Sequence, residues 1–484
     1  MTDSAPGLAP PTPLYSPRYK NLVLALLVLA YTFNFIDRTI IVTLGQAIKV
    51  DLKISDTQLG LLGGLYFALL YTLLGIPIAR LAERRSRVSI ISWSIVIWSG
   101  FTVLCGMAAN FAQLALFRFG VGVGEAGLTP PAHSLISDHF EPKKRASALS
   151  TFSFGLPLGV MVGAVAGGWL VQNYSWRVAF MAVGFPGVLL AVAIKLLLKE
   201  PPRGHSEAES VTAPALAASS LSAELKELGV VARAMLANKA VMHMSLGITL
   251  TSIASYGSGT FVPPYFIRTF GLSFTQVGLI TGLVSGFSSS IGTLIGGPIA
   301  DRLGRRDPRW YALTPAIGLA IAAPLYITAY TQDSWRTAAF ILLLPGIFHY
   351  TYLGPTFGVV QNSVDTTRRA TASALLLFFL NLISLGGGPP FAGWVIDHFA
   401  AFNYAHPGVS SLLASLGGFF DADTQAFQVA CPGGTAPAGS AADAVSRCAG
   451  SLALATRQGV VLLLCFYFWG ALHYFLASLK LARK

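Results

Sequence analysis

Twelve apolar runs, each long enough to cross a bilayer, constrain this chain more than any other feature. They fall near residues 21–45, 58–79, 88–108, 111–136, 147–171, 177–198, 240–267, 275–300, 310–329, 335–361, 370–397 and 458–479. Wound as helix, residues 23–45 span roughly 34 Å, against a hydrocarbon core of about 30 Å. Irregular backbone cannot face lipid, so runs of this length read as helices. The expectation is an all-α membrane protein with twelve transmembrane helices. Only 11% of the 484 residues are charged, where soluble domains carry about 25%.

The formal net charge of +12 is explained by loop placement, so nucleic acid is not an expected partner. With both termini on one side, that side's tails, loops and helix ends hold 24 of the 33 Lys and Arg residues, in stretches such as "RLAERRSR", "EPKKR", "RLGRRDPR" and "TTRR". The opposite side holds Lys49, Lys53, Arg177, Arg268, Arg336, Arg447 and Arg457. The positive-inside rule then puts both termini in the cytoplasm of a multi-pass inner-membrane protein. Residues 1–20 are Pro-rich and polar, and the first run exceeds a signal h-region, so it reads as a retained anchor.

The chain repeats itself. "TQLGLL" at 57–62 returns as "TQVGLI" at 275–280, "GIPIARLAERR" at 75–85 as "GGPIADRLGRR" at 296–306, "KKRASALS" as "TRRATASA", and "AGGWL" as "FAGWV". The offsets describe two parallel six-helix halves. The expected organisation is a 1–20 tail, a 21–199 bundle, a 200–239 linker, a 240–479 bundle containing a 400–457 extracytoplasmic loop, and a 480–484 tail. Leu221, Leu225, Leu228, Ala232 and Met235 fall at three- and four-residue spacing, which predicts an amphipathic helix in the linker. Cys431 and Cys448 sit in the outer loop, where an oxidising compartment favours a disulfide of roughly 3 kcal/mol. The Cys pattern offers no metal site, and no cofactor is expected.

Four charges lie inside predicted helices: Asp37 and Arg38 in the first, Arg118 and Glu125 in the fourth. A lone charge at mid-bilayer costs about 2.5–3.5 kcal/mol on insertion scales, so these four are expected to meet in a wet cavity. Arg118 and Glu125 share a helix face about 10.5 Å apart, and Gly120, Gly122, Gly124 and Gly127 thin that helix for a close neighbour. Carboxylates that gain and lose cationic partners between two states take up and release protons, which assigns proton coupling to Asp37 and Glu125. Arginine suits an anionic head group, so Arg38 and Arg118 are substrate-binding residues. Tyr256, His349, Tyr350 and Phe379 would form the opposing wall. Static bracing is the alternative for each charge, and packing for each aromatic residue and for His349. A cytoplasmic gate is expected from Arg80, Arg84 and Arg85 of the first basic turn with Asp301, Arg302, Arg305 and Arg306 of the second.

The repeat and its "GGPIADRLGRR" turn resemble the major facilitator superfamily. "NFIDRTI", "TQLGLLGGLYFALLYTLLGIPIARLAERRSR" and "GVGEAGLTPPAHSLISDHFEPKKRASALS" resemble its Spinster family of lysolipid and sphingolipid carriers. Family members carry Gly-Asp-Arg where this chain has Ile78-Ala79-Arg80. The resemblance implies the major facilitator fold, no enzyme activity, and alternating-access transport of an amphiphilic anion such as a lysophospholipid by a monomer. It assigns protons to Asp37 and Glu125 and the head group to Arg38. Carriage of small organic acids or sugar acids, drug efflux, and a non-transporting receptor or scaffold are the alternatives.

Overall fold

The computed structural model describes residues 15–203, 221–365 and 368–481. Among them stand twelve helices in two sets of six. The first set is α1 (Pro17–Leu52), α2 (Asp56–Arg84), α3 (Arg87–Gly106), α4 (Phe111–Glu125 continued by Thr129–His139), α5 (Ser147–Asn173) and α6 (Trp176–Leu197). The second is α7 (Lys239–Phe270), α8 (Phe274–Gly304), α9 (Trp310–Tyr330), α10 (Trp335–Asn362), α11 (Thr371–Ala405) and α12 (Ala442–Ser478). Ten of these are long and apolar enough to cross a membrane. The exceptions are α4, broken into two short pieces and bearing Arg118 and Glu125, and α7, whose Ser, Thr and Gly content dilutes its hydropathy.

The repeated Thr-Gln motif has a local cause. Ser55 and Gln58 form a reciprocal capping box at the start of α2, and Ser273 and Gln276 do the same at α8. Each box satisfies backbone donors that a helix start leaves open. An even number of crossings puts the start of α1 and the end of α12 on one face of the bundle, the terminal end. The opposite loop end carries residues 406–441.

The halves meet along two seams, α2 with α11 and α5 with α8. Glycine permits both. A Cβ on Gly60 would strike the Pro389 carbonyl, and one on Gly278 would strike the Ala164 carbonyl. Lower in the first seam α2 breaks at Gly64, and α11 loosens into a π-turn over Leu380–Leu385. The two interruptions face each other, with the Leu385 carbonyl 2.7 Å from where a Gly64 Cβ would stand. Such turns mark helices that bend at functional sites.

The linker helix (Leu221–Ala237) packs on α7 and α11 through buried Val231 and Met235. The side chains of Leu221 and Leu225, and residues 204–220, lie outside the described residues. Cys431 and Cys448 form the expected disulfide, Cα–Cα 5.7 Å. It holds the Pro432–Gly434 turn against the end of α1, where Gly433, at φ 69°, lies over the Lys49 carbonyl.

Candidate functional site

The site forms where α1, α2, α3 and α4 converge. Four glycines of α4 let it sink between its neighbours: Gly120 lies against Phe101, Gly124 against Trp98 and Gly127 against Ser94 of α3, and Gly122 against the Phe67 carbonyl of α2. This close packing carries Glu125 to α1. Arg38 Nε donates to Glu125 Oε2 at 2.6 Å, with Glu125 fully buried and the Arg38 side chain 21% exposed. Three rings surround the guanidinium, with centroids 4.5 Å away for Tyr71 and 5.0 Å for Phe35 and Phe67. Cation–π attraction of this kind holds an arginine in place without neutralising it.

Arg118 is buried with its guanidinium 5.4 Å from the Phe67 ring centroid, and its Nε donates to the Leu62 carbonyl at 3.2 Å. Asp37 is 1% exposed. Arg118, Trp98 and Thr102 are its neighbours, and Oδ1 has no hydrogen-bond partner, nor does Oε1 of Glu125. Of the two adjacent positions on α1, Arg38 pairs with Glu125, whereas Asp37 has Glu125 and Arg118 near it and an ion pair with neither. Unmet buried carboxylate oxygens are costly, so each needs a reason to persist.

From the second half, Tyr256 reaches the same space. It lies within electrostatic range of Arg38, Tyr31 and Tyr71 and is 37% exposed. Phe379 is 45% exposed and Tyr350 is half-buried. His349 does not reach it. It is buried among Tyr326, Tyr350, Tyr352 and Tyr467, with Nδ1 3.4 Å from the Tyr326 hydroxyl and Nε2 unpartnered. As placed, it supports Tyr350 rather than touching the cavity.

A second charge cluster seals the loop end, and it corrects the expectation that all deep charges belong to the first half. Arg268 of α7 bonds Asp56 of α2 at 2.7 and 3.1 Å and also reaches Gln46 and Thr456. Lys49 Nζ lies 3.2 Å from Asp56, and all three side chains are essentially buried. Asp397 of α11 caps α2 from the other half, accepting from the Asp56 and Thr57 N–H groups at 2.9 and 2.8 Å and from the Thr57 hydroxyl at 2.6 Å. Lys49 and Arg268 sit at helix ends, which is why the sequence presents them as loop residues; the capping serine before Asp56 was the available signal.

At the terminal end Arg80, Arg84, Arg85, Asp301, Arg302, Arg305 and Arg306 are all exposed. Asp301 faces the Tyr311 hydroxyl. The first basic turn is tied down within its own half. Buried Arg87 bonds Asp138, Ser134 (2.8 Å), Glu200 (2.7 Å) and the Pro201 carbonyl (3.1 Å), and Arg203 donates to the Ala82 and Arg85 carbonyls. Burial raises the Glu200 carboxyl, but bonds from the Val88 N–H, Arg87 and Ser86 outweigh it and hold the group below the ordinary value.

A twelve-helix bundle in two sets of six, with the Arg38–Glu125 pair inside it, reads as a membrane carrier, and comparison with known proteins agrees. The family model described as Major Facilitator Superfamily matches residues 27–387 and 244–481. The chain belongs to the Major Facilitator Superfamily. Within it, the likeness is to the Spinster proteins. A solved bacterial homologue of the human lysosomal transporter Spinster, in an inward-facing and unoccupied conformation, superposes with a TM-score of 0.80 at 33% identity, covering 96% of this chain and 98% of the other. Protein spinster homolog 1 of Homo sapiens is 27% identical over 402 residues, 79% of this chain and 74% of that one. An MFS-type efflux pump of Mycolicibacterium smegmatis is 32% identical over 383 residues, 79% of this chain and 86% of the relative. The chain is a secondary transporter of this superfamily.

Proposed function

We propose that this transporter moves an amphiphilic anion by alternating access and couples that movement to protons through Glu125 and Asp37. The observation that carries the proposal is the Arg38–Glu125 pair, whose arginine is partly exposed while its carboxylate is buried. An anionic head group arriving from the cavity competes with Glu125 for the guanidinium. A proton on Glu125 removes that competitor and frees Arg38 to bind phosphate or carboxylate through two N–H groups. Anion and proton therefore favour each other's binding. Asp37 and Arg118 behind them provide a second acceptor to which the proton or the pairing can pass.

The opposing wall supports an amphiphile over a small acid. Tyr256, Tyr350 and Phe379 offer aromatic surface and no second cation, which suits a charged head with an apolar tail. With the termini in the cytoplasm, as the basic loops favour, the accessible cavity faces inward and the Arg268–Asp56–Asp397 seal closes the outer side.

Uptake into proteoliposomes of a labelled lysophospholipid and of a labelled hexuronate, each across several proton gradients, tests this reading. The expected result is gradient-dependent flux of the lysolipid and little of the sugar acid. The reverse would favour a small-acid carrier, a reading kept open by a 24% identical relative named hexuronate transporter in Bacillus subtilis, matched over 79% of this chain and 89% of its own. Absence of flux for either would remove the amphiphile reading.

A further inference from the structure

The search for an unassigned site leads to the loop end of α11. Phe391, Trp394 and His398 recur there at three- and four-residue spacing and are only half-buried, while the intervening Ala392, Val395, Ile396, Asp397 and Phe399 are buried. That stripe is the side of α11 turned to lipid. It continues onto α12 through Phe391–Phe466 and Phe466–Trp469 contacts at 5.8 Å, Trp469 being 52% exposed.

The outer loop does not simply cross above this stripe; it comes down onto it. Phe419 packs 5.1 Å from Trp394 and 4.9 Å from His398, ring to ring. Just before it, the short helix Leu412–Gly417 is fixed to the bundle by Ser415, which bonds Asn403 and Gln458. The other side of this segment is bare. Leu413 is 80% exposed, Phe420 84% and Leu416 37%, and no Asp, Glu, Lys or Arg occurs between His406 and Phe420. Depth follows from Asp397. It caps the start of α2 at the loop end, so Trp394 and Phe419 lie within about one turn of the level at which α2 begins.

We infer that Phe419–Phe420 is an interfacial foot that lies in the lipid leaflet at the loop end, with the bare Phe420 ring among the upper acyl chains. The occupant is bilayer lipid because the bare face continues the lipid-facing aromatic stripe of α11 and α12. Uncharged apolar segments rimmed by aromatic rings settle at that depth, about 5–10 Å below the headgroups. Asp397 occupies the opposite side of the same turn, so the foot fixes the helix end that seals the halves.

A nitroxide on Phe420→Cys reads the depth directly. The background is Cys465→Ser, since Cys105 is buried and the other two cysteines are paired. The control is Val429→Cys, 81% exposed on the helix Thr424–Ala430, whose Phe427 packs against Tyr404, about 15 Å further out along α11. In phosphatidylcholine–phosphatidylglycerol vesicles, dissolved oxygen should relax the label at 420 several-fold more than an aqueous nickel chelate does, and the order should reverse at 429. Equal access of the chelate to 420 and 429 would overturn the inference. Protection of 420 from both reagents would also overturn it, by placing protein there.

Discussion

Arg38 is the residue on which the site turns, and a shape argument separates it from a simple positive charge. Its guanidinium bonds Glu125 through Nε while three rings pack about its plane. Lysine keeps the charge but loses the planar fork and the stacking. Arg38→Lys is therefore expected to fold, yet to bind a lysophospholipid at least about tenfold more weakly, equivalent to roughly 1.4 kcal/mol. Equilibrium binding in detergent checks this, and unchanged affinity would show that Arg38 only braces α1. Asp37, Arg38, Arg118 and Glu125 were legible in the sequence because a charge within a long apolar run has few occupations. Tyr71 and Phe67 were not, since an aromatic residue on a helix reads as packing until its neighbour is known. Nor could sequence decide that Arg38 takes Glu125 while Asp37 is left without an ion pair, because that depends on how far the α4 glycines let the helices approach.

At the scale of elements, the turn between α2 and α3 is tied down within its own half. Glu200, outside the membrane spans, holds Arg87 and the start of α3. Its carboxyl is held below the ordinary value near 4.5, so its contribution is present above that value and is lost as pH falls through the lower folded-state value. Glu200→Gln is expected to lower the melting temperature at pH 7, by an amount corresponding to about 1–3 kcal/mol for a charge-assisted bond. The difference from the unmodified protein should shrink as the pH drops below about 4.5, and a constant difference across that range would contradict the assignment. The outer turn makes a second element-scale case. Gly433 at φ 69° has Lys49 backbone beneath it, 2.8 Å from where a Cβ would stand. Gly433→Ala should lift the turn and expose Lys49 without breaking the disulfide. Faster amide exchange at residues 49–53 would report the change, and unaltered exchange would mean the turn adapts in place. The Cys431–Cys448 pairing was readable from compartment and spacing, whereas its docking on α1 needed tertiary contacts that leave no local pattern.

For the whole molecule, the internal repeat made the fold legible: capping boxes and basic turns recur because each half solves the same packing problem. The asymmetry between halves was less so. Sequence placed the deep charges in one half, yet Arg268 and Asp397 lock the second half to Asp56 and Lys49 at the loop end. Asp397→Asn weakens that seal, since an amide meets the Asp56 and Thr57 donors with a single neutral acceptor. Distances between spin labels across the loop ends of the two halves should lengthen in this variant. At the terminal end, Asp301→Asn should instead lengthen distances between halves by weakening the state closed to the cytoplasm. An unchanged distribution in either case would reduce that aspartate to local geometry.

The central claim is that buried carboxylates exchange protons for partners as the anion binds. Glu125→Gln and Asp37→Asn keep side-chain size and hydrogen bonding while removing the titratable charge. The most direct measurement is lysophospholipid transport by both variants in proteoliposomes, as accumulation under a proton gradient and as counterflow without one. The account predicts that accumulation falls to the level seen without a gradient while counterflow persists. Full accumulation with unaltered pH dependence in both variants would contradict it and leave Asp37 and Glu125 as structural braces.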